Sequence, residues 1–134
     1  MKYIILRPFL IYGPGQSLNR LIPNTILCCL KNQNFPCSDG EQIRDFLYVN
    51  DFINLLIKCV LSKNLYNKIL NAGSGKPIKV KKIIIKIKKL IKKGNPIYGK
   101  VPLRKDEPLL LYPNLKNNYK YLNWRPKKNI VNRP

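Results

Sequence analysis

The sequence predicts an α/β fold, and three observations carry that prediction. A continuous apolar run, Tyr3-Ile4-Ile5-Leu6, stops at Arg7-Pro8 and suits a buried parallel strand. Helical spacing relates Leu21, Ile22, Thr25, Ile26, Cys29 and Leu30, and again Val80, Ile83, Ile84, Ile87, Leu90 and Ile91, the second set with lysines between. Such segments follow one another as strand, helix, strand, helix, strand, helix, the order of an α/β chain.

Each element has a local cause. After the first strand, Tyr12-Gly-Pro-Gly-Gln16 is a loop, and Asn19 is placed to cap the helix that runs to about Lys31. Pro23 falls in its first turn, where a missing N–H does no harm. Residues 35–42 are turn-rich, residues 44–49 have strand character, and Asp51 is placed to cap a helix over 52–62. Residues 68–76 read as a short strand running into a glycine turn. The lysine-flanked helix follows, with Gly94 as its C-cap. Four prolines make 95–113 mostly loop with one short edge strand, and a last short helix spans Asn114 to Leu122. No fixed-period repeat is visible.

Composition narrows the class. The 134 residues suffice for about one domain with a modest core, and 45% hydrophobic content excludes low-hydrophobicity disorder. Lysine and arginine number 26 against 6 acidic residues, with no histidine, for a net charge of +20. Heavy use of Lys, Asn and Ile together is what an AT-rich coding sequence favours, so the charge requires no nucleic-acid partner, although it favours an anionic ligand. Cys28, Cys29, Cys37 and Cys59 form no CxxC pair and, without histidine, no zinc spacing; they read as small core residues of a reducing compartment. No signal peptide and no stretch of about 20 apolar residues is present, so a cytoplasmic protein without a membrane span is expected.

Chemistry is scarce. No GxGxxG precedes a helix, and Ala72-Gly-Ser-Gly75 lacks the third glycine and reads as a turn. Tyr112 and Lys116 have Tyr-x-x-x-Lys spacing, but Pro113 between them opposes a shared helical face. The richest segment is Ser38 to Phe52, SDGEQIRDFLYVNDF, which gathers four of the six acidic residues around Arg44.

That segment closely resembles one found in the extended short-chain dehydrogenase/reductases, the NAD-dependent epimerases and dehydratases that act on nucleotide-activated sugars. LRPFLIYGPGQ (6–16), NRLIP (19–23), ILNAGSG (69–75), VPLRKDEP (101–108) and YLNWRP (121–126) resemble further landmarks of that family in the same order, over residues 1 to 128. The resemblance implies a partial extended short-chain dehydrogenase fold: the last strand or strands of the Rossmann sheet plus the small α/β substrate-binding domain. Residues 1–13 would be the terminal strand and loop of an otherwise missing NAD-binding domain, and 14–134 the sugar-nucleotide region.

The ligand implied is a nucleoside-diphosphate sugar. Arg44 and Arg104 fall where the family places diphosphate-binding arginines, whose planar fork suits phosphate oxygens. Arg20 and Leu21 open a helix whose free amides would hold the same group. For Arg44 an ion pair with Asp39, Glu41, Asp45 or Asp51 is the structural alternative, compatible with ligand binding; for Arg104 the alternative is a pairing with Asp106 or Glu107. Phe35, Pro36 and Cys37 lie where relatives cradle the base, or else close a core. Pro8, Phe9 and Leu10 lie beside the nicotinamide; the family often has asparagine where Leu10 stands, so that sugar contact departs from the pattern. Tyr48, Trp124 and Pro126 read as packing.

The cofactor fingerprint and the Tyr-x-x-x-Lys pair are missing, so no catalytic or metal-binding residue is assigned. NAD or NADP is expected in the complete enzyme and none on this chain alone. The reading is therefore a substrate-binding fragment of a nucleotide-sugar epimerase or dehydratase, inactive alone, completed by a separately encoded Rossmann half, with full-length relatives as homodimers. A basic nucleic-acid-binding module, using Lys79 to Lys93, and a non-functional remnant are the alternatives; no nucleic acid is expected, because those lysines flank an isoleucine stripe and read as a solvated helix face.

Overall fold

A computed structural model of the chain describes residues 2–130. In chain order the elements are β1 (Ile4–Pro8), β2 (Leu10–Tyr12), α1 (Leu21–Leu30), β3 (Asn34–Pro36), β4 (Ile43–Arg44), β5 (Phe46–Tyr48) and α2 (Val49–Leu61). Then come β6 (Lys68–Ala72), β7 (Ile78–Lys79), α3 (Val80–Ile91), β8 (Asn95–Ile97), β9 (Leu110–Leu111) and α4 (Lys116–Leu122). They form two compact units that interleave along the chain. The first holds the chain up to Gly13, Asp45–Pro77 and the segment from Tyr112; the second holds Pro14–Arg44 and Ile78–Leu111.

In the first unit β1 pairs parallel with β6, Ile5 opposite Ile69, and β2 pairs parallel with β5, Leu10 opposite Phe46. Its core gathers Leu47, Leu55, Cys59, Leu65, Leu70, Ala72 and Trp124, with Ile4, Leu6, Phe52 and Leu122 packed against it. The expected burial of the first strand holds for one face only. Tyr3 and Ile5 stand exposed, as does Ile69 beside Ile5, because alternation turns these residues away from the core; among the described residues β1 pairs on one side only. Helix α2 likewise buries Leu55 and Cys59 and leaves Ile53, Leu56, Ile57, Val60 and Leu61 outward. It begins at Val49 rather than after Asp51. Asp51 sits buried in its first turn and accepts the Lys128 amide at 2.8 Å, while Lys128 Nζ lies 4.0 Å from the Tyr48 ring centre.

In the second unit α1 packs on α3, and the sheet is β7–β4–β9, with β4 antiparallel to β7 and parallel to β9. Buried Thr25, Cys29, Phe35, Cys37, Ile78, Val80, Ile83 and Ile84 make its interior. Gly94, at φ +83°, passes so close to Cys29 that a Cβ would fall 2.7 Å from its Cα. Several local expectations shift here. The cap of α1 is Arg20, not Asn19; α3 ends on Lys92 in the left-handed region, not on Gly94. The turn-rich stretch after residue 34 contains β3, which pairs parallel with β8. Residues 44–49 are not one strand: β4 and β5 belong to different sheets, and the break is at Asp45.

All four cysteines are free thiols, three buried and Cys28 half-buried. Burial, first of all, pushes Cys29, Cys37 and Cys59 up, so they are neutral at physiological pH and unreactive as nucleophiles. Among the described residues no helix is long and apolar enough to cross a membrane, and no group of His, Cys, Asp and Glu could hold a metal ion.

Candidate functional site

The clearest concentration of function-bearing chemistry is Arg44 on β4. It is 6% exposed, an unusual place for a cation, and its side chain is held from three directions. Nη1 donates to the carbonyls of Ile43 (2.9 Å) and Leu109 (3.5 Å), and Nη2 donates to Glu107 Oε1 at 2.7 Å. The register of β4 with β9, Arg44 opposite Leu111, brings the chain before Leu110 under the guanidinium. A guanidinium has five N–H groups. Nε–H and the second Nη2–H have no hydrogen-bond partner among the described residues, so one edge of the fork is anchored and the other is available.

None of the four nearby carboxylates is the one that pairs with Arg44. Glu41 pairs with Lys79 at 2.6 Å, and that hydrogen bond, more than charge alone, holds its carboxyl below the usual range. Asp45 binds the 73–76 turn, Asp51 takes the Lys128 amide, and Asp39 lies against Gly99. The partner is Glu107, 63 residues away. No local signal marks it, because strand pairing between distant segments decides the contact.

Arg104 sits on an exposed loop, with no ion pair among the described residues, and the Glu107 amide donates to its carbonyl at 3.0 Å. Its expected pairing with Asp106 or Glu107 side chains is not made. Arg20 is the exposed N-cap of α1, and no side chain caps the helix. Its first turn carries no acidic residue; Pro23 has no N–H, and the Leu21 and Ile22 amides have no partner among the described residues. This helix start is therefore a donor-rich, uncompensated positive dipole end.

The remaining expected residues divide. Phe35 and Cys37 are buried, with the Cys37 thiol against the Phe35 carbonyl at 3.8 Å, and only Pro36 of that trio is exposed. In the first unit, Pro8 and Leu10 are exposed, while Phe9 is half-buried and its amide donates to Ala72 at 2.9 Å. Tyr12 and Tyr48 meet edge to face at 5.5 Å between ring centres; burial, with Asp51 nearby, pushes the Tyr12 phenol up. Trp124 is core, as expected.

Parallel strand pairs crossed over by helices, together with a glycine turn directly after β6, make this part of an extended short-chain dehydrogenase/reductase fold. The chain belongs to the NAD dependent epimerase/dehydratase family, whose description it matches over residues 1–73. It is 28% identical over 133 residues to the CDP-abequose synthase of Salmonella typhimurium, covering 94% of this chain and 44% of that protein. It is 30% identical over 129 residues to the UDP-glucuronate 4-epimerase of Thermodesulfobacterium geofontis, covering 94% and 39%. Among solved structures, the UDP-glucuronic acid 4-epimerase of Bacillus cereus in complex with UDP-glucuronic acid and NAD matches with a TM-score of 0.84 at 26% identity, over 95% of this chain and 41% of that one. The chain thus spans about two fifths of the length of the relatives it matches.

Proposed function

We propose that these residues are the sugar-nucleotide-binding part of an NAD(P)-dependent nucleotide-sugar epimerase or dehydratase of the cytoplasm. The observation that carries this reading is the buried, half-anchored fork of Arg44, since a cation is held at 6% exposure with two donors left open. A diphosphate would accept from the two open donors of a fork whose other edge Glu107 already holds. Arg104, on the exposed loop, and the start of α1 at Arg20 and Leu21 supply the further cations and amides that a diphosphate requires. Of the base-cradling residues, Pro36 offers the exposed surface, while Phe35 and Cys37 support it from within.

The cofactor does not fit these residues by themselves. Pro8, Phe9 and Leu10 offer one flank for a nicotinamide, but no glycine fingerprint and no Tyr-x-x-x-Lys helix lies within them, so they perform no redox step of their own. Those groups come from a dinucleotide-binding half, in the same chain or a separate one, and without it the residues described bind but do not turn over. The open edge of β1 and the exposed Tyr3, Ile5 and Ile69 suit such a half, because parallel strands are stable when covered on both faces. The completed protein would be a homodimer.

Calorimetric titration of the purified chain with UDP, CDP, GDP and UDP-glucuronic acid tests the binding claim. Saturable binding of at least one, weakened more than about tenfold by Arg44→Ala, is expected. Absence of binding by all four defeats the proposal.

A further inference from the structure

We propose that Glu107 is a positioning residue for the diphosphate site, setting the pose of the Arg44 guanidinium. The inference rests on the reading that Arg44 meets the diphosphate, and it adds a role for a carboxylate beside an anion site. Such a carboxylate is at first sight out of place, because its charge opposes the ligand's.

Its geometry explains its presence. The carboxylate takes Nη2 of Arg44 at 2.7 Å, and with the Ile43 and Leu109 carbonyls on Nη1 it fixes the plane of the guanidinium. A fork held along one edge aims its other edge, and bidentate recognition depends on that aim. The amide of the same residue donates to the Arg104 carbonyl at 3.0 Å, a main-chain bond that closes the turn whatever the side chain, so the positioning role rests on the carboxylate's hold on Arg44. Glu107 is itself partly exposed, with 29% of its side-chain surface accessible.

Two accounts of Glu107 give opposite signs. If it is only a negative charge near an anion site, neutralising it tightens diphosphate binding. If it positions Arg44, neutralising it weakens binding although the repulsion is relieved. The experiment is titration of the full chain with UDP, or whichever nucleoside diphosphate the wild type binds best, across wild type, Glu107→Gln, Glu107→Asp, Arg44→Lys and the Arg44→Lys/Glu107→Gln pair. Expected are a loss of about tenfold for Glu107→Gln, partial recovery in Glu107→Asp, and a double variant no weaker than Arg44→Lys alone, because the two residues act as one unit. Far-ultraviolet circular dichroism and amide hydrogen exchange over Pro14–Arg44 and Ile78–Leu111 report whether each variant is folded. Should Glu107→Gln fail to fold, Glu107→Asp carries the test: binding equal to or tighter than wild type overturns the inference. Glu107→Gln binding as well as or better than wild type, while Arg44→Lys binds poorly, overturns the positioning role and leaves the diphosphate site standing. A wild type that binds no nucleoside diphosphate overturns both.

Discussion

Asp45 holds Ser74 by two bonds: its carboxylate accepts the Ser74 amide through Oδ1 and the Ser74 hydroxyl through Oδ2 at 3.0 Å. The Lys76 amide adds a third at 3.1 Å, and Asp45 is fully buried. A charged acceptor thus closes the glycine turn after β6 by collecting backbone donors that would otherwise be buried without partners. Asp45→Ala should cost about 3 kcal/mol in urea unfolding followed by Trp124 emission, and Asp45→Asn, which keeps one acceptor, about 1–2 kcal/mol. A loss below about 0.5 kcal/mol for alanine would show that the turn does not depend on this residue.

Arg20 offers a test with opposed outcomes. An aspartate at this N-cap can accept the Ile22 amide and complement the helix dipole, so Arg20→Asp should stabilise the chain by about 1 kcal/mol. The same carboxylate occupies the donors proposed for phosphate, so UDP affinity should fall at least about tenfold. Stability and affinity moving in the same direction would remove α1 from the site.

Two glycines separate conformational strain from crowding. Gly15, at φ +78°, has nothing within 4 Å of a built Cβ, whereas Gly94, at φ +83°, has the Cys29 Cα at 2.7 Å. Gly15→Ala should lose about 1 kcal/mol, the cost of the left-handed conformation alone. Gly94→Ala should lose about 3 kcal/mol, since α1 and the end of α3 must also part. Equal losses by denaturant titration would contradict the close approach.

The buried acids predict an alkaline limit. Cys29, Cys37 and Cys59 titrate above the ordinary thiol value of 9.0, and Tyr12 and Tyr98 above the ordinary phenol value of 10.0, in each case chiefly because burial disfavours the anion. Above those values the unfolded chain binds fewer protons than the folded one, so stability falls as pH rises. The thermal midpoint should be insensitive to these groups below pH 9.0, drop as the thiols of the unfolded state ionise, and drop further above pH 10.0. A midpoint unchanged up to pH 10.0 would mean these groups are not protected in the fold.

Legibility in the sequence followed the range of the forces involved. Helices α1 and α3 were readable because a 3.6-residue apolar period is a local pattern, and β6 because an apolar run meets a glycine turn. Strands of two or three residues, β3, β4, β7 and β9 among them, carry too few residues for a period and exist through their distant partners. Helix caps slipped by one to three residues for a related reason: Asn19, Asp51 and Gly94 are better caps by type, yet packing set the ends at Arg20, Tyr48 and Lys92.

By itself the sequence determined the α/β class, the family through motifs in order, and Arg44 as the residue to watch. Tertiary structure alone decided what Arg44 is paired with and where the chain divides. Asp45 joins the first unit and Arg44 the second, so adjacent residues in the richest motif serve different cores. The carboxylates around Arg44 in sequence are drawn off to Lys79, to the 73–76 turn, to Gly99 and to Lys128, and Glu107 takes their place. Neighbours along an extended chain point to opposite faces, whereas residues 63 apart can meet side by side once β4 and β9 pair; proximity in sequence therefore said nothing about which charge would neutralise the buried guanidinium.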